Sequence, residues 1–149
     1  MRNPAIVIPE AMKPLVELGK TVRNTGVALT TVELVQLRVS QINGCSVCVD
    51  GDSRTASKAG VNDEKRSTVA AWRHTPYFTD SERAALALAE AATRLADSAD
   101  PVPDEIWDAA AKHFSEQELA ALTLAIGITN LYNRLNVTTG QIAGPQPWE

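Results

Sequence analysis

The sequence is poor in several features, each of which would mark a class of protein. Aromatic residues make up 5% of its 149 positions, against 22 alanines. That balance argues against a β-sandwich, which is richer in Val, Ile, Tyr and Trp, and favours closely packed helices. There is no excess of positive charge: 14 Lys and Arg face 18 Asp and Glu, a formal net charge of -4. Such a chain has no global field to hold nucleic acid or an anionic membrane surface, so neither is expected as a partner. No stretch approaches the roughly 20 consecutive apolar residues of a membrane span. The start, Met1 to Glu10, is interrupted by Pro4 and Pro9 and lacks the apolar centre of a secretory signal. Two cysteines are too few for the disulfide framework of a small secreted domain. The expectation is a soluble cytoplasmic protein forming one domain over residues 1–149, with 44% hydrophobic and 21% charged residues.

What is present reads as helix. Thr30 with Glu33, Thr79 with Glu82 and Ser115 with Glu118 each match the capping box, in which a hydroxyl and an acid three residues on satisfy each other's backbone donors. They predict helices running to about Asn43-Gly44, from Asp80 to about Asp97, and from Glu116 to about Asn136. Further candidates are Pro9 to Arg23, Val49 to Lys58, a segment capped by Asn62 that ends before Pro76, and one opening at Pro103. The fold class is therefore all-α, with six or seven helices. The helix from Asp80 has one apolar stripe, Ala85, Leu88, Ala89, Ala92 and Leu95, opposite Glu82, Arg83, Glu90 and Arg94, and is expected at the surface. The helix from Glu116 is apolar nearly all round, as expected of the core or a subunit interface. Residues 140–149 read as an irregular tail carrying Trp148.

One constellation carries chemistry. Cys45 and Cys48 follow the Asn43-Gly44 turn at a helix start, where unpaired amides favour the reactive thiolate. The plain alternative is a pair of small buried hydrophobes on one helix face. Zinc is disfavoured, because His74 and His113 lack paired-ligand spacing. Asp50-Gly51-Asp52-Ser53 opens like a calcium loop, but Arg54 and Thr55 occupy a ligand position and the required glycine. Neither a metal nor an organic cofactor is implied. Arg38 and Arg54 are candidates for ion pairs near the site.

The run from Glu33 to Cys48, continued by Ala59-Gly60, by Tyr77 to Leu86 with Leu88-Ala89-Glu90, and by Leu119 to Asn136, resembles the AhpD-like branch of the carboxymuconolactone decarboxylase family. The resemblance implies a small all-helical protein that assembles as a homo-trimer or homo-hexamer, and a thiol-dependent alkylhydroperoxidase activity. It implies Cys48 as the thiolate that attacks peroxide, Cys45 as the resolving thiol and Glu33 as part of a proton relay. The substrate would be a small peroxide or a disulfide, and the reductant a thiol of unspecified identity. The family motif has a histidine four residues after the second cysteine; Asp52 stands there. Two like charges about 6 Å apart repel by about 2.8 kcal/mol at an effective dielectric near 20, so an ionised Asp52 opposes a thiolate at Cys48. Val47 occupies a second position that carries histidine in some members. His74, in a polar turn, is a candidate replacement base, and its bland reading is an exposed loop histidine. Glu33 is equally explained as the acid of a capping box. The alternatives to a thiol oxidoreductase are a non-redox member that binds a small ligand or acts on a lactone, and a non-catalytic structural protein.

Overall fold

The computed structural model describes residues 1–144. These form eight α-helices: α1 Pro4–Val7, α2 Pro9–Val22, α3 Leu29–Ile42, α4 Ser46–Lys58, α5 Asp63–Thr68, α6 Asp80–Thr93, α7 Asp104–Ala111 and α8 Glu116–Thr138, with 3-10 turns at Val69–His74 and Leu95–Asp97. No strand occurs among the described residues. The fold is the all-α one expected, and the helix beyond the expected count is the single turn α1, which Asn3 caps by accepting from Ala5 N–H at 2.8 Å. Trp148 and the rest of residues 145–149 lie outside the described residues.

Two of the three capping boxes form, at Thr79 with Glu82 and at Ser115 with Glu118. The third does not. α3 begins at Leu29 behind Ala28 with no side-chain cap, so Thr30 and Glu33 lie within the helix rather than at its end. Glu33 instead points into the protein and is 1% exposed. Asn62 caps α5 as expected, whereas Pro103 precedes α7 as its N-cap instead of opening it.

The centre of the domain is α3, which packs against α4, α6 and α8. Its Val32, Val35 and Val39 join Leu88, Leu122 and Ile126 in one cluster, and its Leu34 and Leu37 join Val69, Trp72, Phe78 and Leu86 in another. Each fully buried side chain of this size contributes about 1.5–3 kcal/mol. A helix that feeds two clusters is buried along most of its length, so α3 shares the core with α8, the helix expected there or at a subunit interface. α8 buries Leu119, Leu122 and Ile126, but Leu124 and Leu131 remain 45% and 40% exposed in this chain.

α6 also departs from its surface reading, because it lies between the two clusters. Glu82 and Glu90 are both buried. Lys65 Nζ binds Glu82 at 2.6 Å. Glu90 receives Arg38 Nε at 2.7 Å, Trp72 Nε1 at 3.0 Å and the guanidinium of Arg73. Burial alone would raise the Glu90 carboxyl, but the donors from Arg73, Arg38 and Trp72 outweigh it and hold it below its ordinary value. Arg38 thus serves the core, and Arg54 pairs with Asp50 one turn away on α4.

Candidate active site

The turn between α3 and α4 positions the cysteines. Gly44 adopts a left-handed φ of 64°, which an L side chain would resist. Around it Cys45 N–H bonds Ser40 O at 3.1 Å and Gly44 N–H bonds Gln41 O at 3.2 Å, the pair of bonds that defines a Schellman helix end. The chain leaves this turn with Cys45 as the N-cap of α4, its sulfur accepting from Cys48 N–H at 3.4 Å. The two Cα atoms are 5.3 Å apart and the sulfurs are at disulfide distance. Cys45 is 1% exposed, whereas Cys48 is partly exposed and lines a cavity of about 220 Å³.

The other walls of that cavity come from three helices and the end of a fourth: Arg23 after α2, Glu33 and Gln36 from α3, Asp52 and Thr55 from α4, and Thr129, Tyr132, Asn133 and Asn136 from α8. Glu33 and Asp52, both expected at the site, therefore meet Cys48 there. Arg23 Nη1 stands 2.7 Å from Glu33 Oε1, out of line for a hydrogen bond, so the contact is one of charge. Burial raises the Glu33 carboxyl, and the charge of Arg23 offsets this only in part. Asp52 accepts from Ser40 Oγ at 2.6 Å. Burial pushes its carboxyl up to about 6; the Ser40 bond opposes that rise, the negative charge of Glu33 adds to it and Arg23 opposes it.

Behind Asp52 the polar contacts continue into the protein. Asn133 Nδ2 donates to Ser40 Oγ at 3.0 Å, and Asn43 Nδ2 donates to Asn133 Oδ1 at 2.8 Å and to Asn130 Oδ1 at 3.0 Å. This network fixes the Ser40 hydroxyl as a donor to Asp52 and so the face of Asp52 turned to the cavity. Asn136 Nδ2 donates to Cys48 Sγ at 3.2 Å. On the far side of Val47, Tyr132 and Asn136 a second cavity of about 410 Å³ reaches Asn3, Ile6, Met12 and Gln141.

His74 ends the 3-10 turn after α5, exposed, and is not part of the cavity wall. His113 follows α7 and is exposed too. Arg23, Ser40, Asn133 and Asn136 were not singled out by the sequence. For the asparagines a signal exists: Asn130, Asn133 and Asn136 recur at three-residue steps on a helix otherwise rich in Leu, Ile and Ala. Buried amides of that kind need partners, so the repeat marks a polar seam.

The comparisons with known proteins fit this geometry. The family model described as carboxymuconolactone decarboxylase family matches residues 9–91. An uncharacterized protein of Bacillus subtilis, YdfG, is 32% identical over 137 residues, covering 92% of each chain. The alkyl hydroperoxide reductase AhpD of Bradyrhizobium diazoefficiens is 49% identical over 45 residues, which span 30% of this chain and 25% of that one. A crystal structure of an Agrobacterium tumefaciens protein of unknown function, described as an AhpD candidate for antioxidant defence, superposes with a TM-score of 0.87 at 33% identity over 96% of this chain and 97% of the other. No helix among the described residues is long and apolar enough to cross a membrane.

Proposed function

The chain belongs to the carboxymuconolactone decarboxylase family, and from that premise we propose that it is a dithiol oxidoreductase that reduces small peroxides through Cys48 and Cys45. The observation that carries this reading is the asymmetry of the pair: Cys45 is buried at the helix cap, and Cys48 opens onto a cavity that holds two carboxylates with raised pKa values. An incoming oxidant meets Cys48 first. Its thiolate attacks one peroxide oxygen, the O–O bond breaks, and Cys48 becomes a sulfenic acid while the other oxygen leaves as an alkoxide or hydroxide. Cys45 then attacks the Cys48 sulfur, closing the disulfide and expelling hydroxide. Two equivalents of an external thiol restore the dithiol.

Proton management falls to Asp52 and Glu33. Among the described residues Arg23 is the one cation lining the cavity, so a thiolate beside two ionised carboxylates is opposed. Transfer of the Cys48 proton to a carboxylate leaves the net charge of the cavity unchanged. A carboxyl near 6 accepts that proton far more readily than an ordinary aspartate, and it can then deliver it to the departing oxygen. In this reading Asp52 takes over the base function at the motif's histidine position, one helical turn from Cys48. Self-association as a trimer or hexamer belongs to the same proposal, supported by the exposed Leu124 and Leu131 two turns apart on α8. Sedimentation as a monomer at micromolar concentration would remove that part of it.

The test is single-turnover peroxide consumption by the reduced protein. Wild type should consume one equivalent, with a rate that rises through pH about 6 as Asp52 ionises. Asp52→Asn should be slowed about 100-fold, the scale of a lost general base, and should lose that pH step. Cys48→Ser should consume none; a wild-type rate no faster than that of Cys48→Ser would end the assignment.

A further inference from the structure

Apart from its disulfide partner, the one polar side chain that bonds Cys48 Sγ among the described residues is the amide of Asn136. An asparagine amide can present either its oxygen or its NH2 group to a neighbour, and here the choice is made elsewhere. Asn136 Oδ1 accepts from Asn3 Nδ2 at 2.6 Å, so the NH2 end is the one left for the sulfur. Asn3 is itself oriented, because its Oδ1 caps α1 by accepting from Ala5 N–H at 2.8 Å, which leaves its NH2 for Asn136. Three donors thus point the same way, from a helix-end amide through Asn3 and Asn136 to the reactive sulfur. Reversing either amide would set oxygen against oxygen or NH2 against NH2 at one end of the chain. Gln141 Nε2, bonded to Met1 O at 2.7 Å, holds the first residues against the end of α8 where Asn136 sits.

We propose that Asn136 is a catalytic residue that stabilises the Cys48 thiolate by donating its amide N–H to the sulfur, and that Asn3, 133 residues away in sequence, is the positioning residue that turns this N–H toward it. The proposal rests on Cys48 being the reactive thiol of the reading above. It adds a source of thiolate stabilisation that neither the helix start nor the carboxylates provide. In such a cavity a hydrogen bond to a charged acceptor is worth more than one to a neutral thiol, so the contact favours ionisation.

The experiment is the pH dependence of iodoacetamide alkylation in a Cys45→Ser background, where Cys48 is the only thiol and a hydroxyl keeps the α4 cap. Asn136→Ala should raise the midpoint by about one pH unit, seen as about tenfold slower alkylation near neutral pH with convergence at high pH. Asn136→Asp keeps the size of the side chain and can still accept from Asn3, but it sets a carboxylate on the sulfur and should raise the midpoint further. Asn3→Asp preserves the α1 cap while removing the donor to Asn136, so the Asn136 amide should reverse toward the new carboxylate, take its N–H off the sulfur and raise the midpoint, although no residue touching the sulfur has been substituted. That effect should vanish when Asn3→Asp is added to Asn136→Ala. Unchanged midpoints in Asn136→Ala and Asn136→Asp, in protein whose helical circular dichroism is intact, would overturn the proposal. An Asn3→Asp effect that persists in the Asn136→Ala background would overturn the role of Asn3. Alkylation requires no peroxide, so these outcomes are separate from failure of the peroxidase reading.

Discussion

Two buried carboxylate centres, both anchored on α3, have been given opposite treatment. Around Glu90 on α6 every need is met: Arg38, itself only 12% exposed at its side chain, and Arg73 supply charge, Trp72 supplies a further donor, and the carboxyl is held below its usual value. Around Glu33 and Asp52 two carboxylates share one guanidinium that is 40% exposed, Glu33 lacks an aligned donor on Oε1, and both carboxyls are pushed up. The first arrangement holds helices together. The second keeps its charges under-neutralised, and a group in that state can take and release protons near neutral pH. The same kind of side chain is neutralised in one place and left short of donors in the other because of how many donors the surrounding elements bring to it.

The strongest way to break this contrast is at the satisfied centre. Glu90→Gln removes the charge that two arginines face, and breaking a buried pair in this way should cost about 3 kcal/mol in denaturant-midpoint measurements at pH 7. Asp52→Asn should do the reverse. The folded carboxyl sits near 6 against an unfolded value of 3.8, so the favourable contribution of Asp52 is complete below about pH 3.8 and is lost as pH rises through 6. That difference corresponds to about 3 kcal/mol, or about 2 kcal/mol once partial exposure is allowed for. Asp52→Asn should therefore be more stable than wild type by about 2 kcal/mol at pH 8, and equal to it near pH 3. For Glu90 the sign is opposite: its contribution is present above its unfolded value of 4.5 and is lost as pH falls through the lower folded one. With Asp52 neutralised, acid titration should show that loss without the opposing contribution of Asp52. A variant at pH 8 less stable than wild type would show that Asp52 is a satisfied charge after all. The smallest effect is expected for Arg23→Gln. Loss of a guanidinium exposed to this extent should change stability by under about 1 kcal/mol. It should nevertheless raise the pH at which Cys48 oxidation becomes fast, because both carboxylates lose their cation. An unmoved pH profile would remove Arg23 from the site.

Much of the fold was legible in the sequence because helix signals are local. The Thr79–Glu82 and Ser115–Glu118 boxes depend on residues three apart, and they stand where they were expected. The same rule misplaced Thr30 and Glu33, since α3 starts at Leu29 and the acid is taken inward to meet Arg23 across the cavity. The burial of Glu82 and Glu90 was hidden for a related reason: an apolar stripe on a helical wheel identifies one buried face, but not a second face whose charges are matched by Lys65, Arg38 and Arg73 from other elements. At the site, Cys45 and Cys48 were readable from their spacing, and Glu33 and Asp52 from the resemblance to the family motif. Arg23, Ser40 and the asparagines of α8 were not, because each acquires its role only through a partner distant in sequence.

By itself, then, the amino-acid order determined the helical class, most helix ends, the glycine turn before Cys45 and the seating of both sulfurs at the start of α4. These follow from contacts between residues a few positions apart, which any neighbouring structure leaves in place. Only the tertiary structure decided which carboxylates are neutralised, which sulfur faces a cavity and which amide reaches it. Ionisation and access depend on the dielectric and the donors contributed by α2, α3, α4 and α8 together, and no local pattern encodes their meeting.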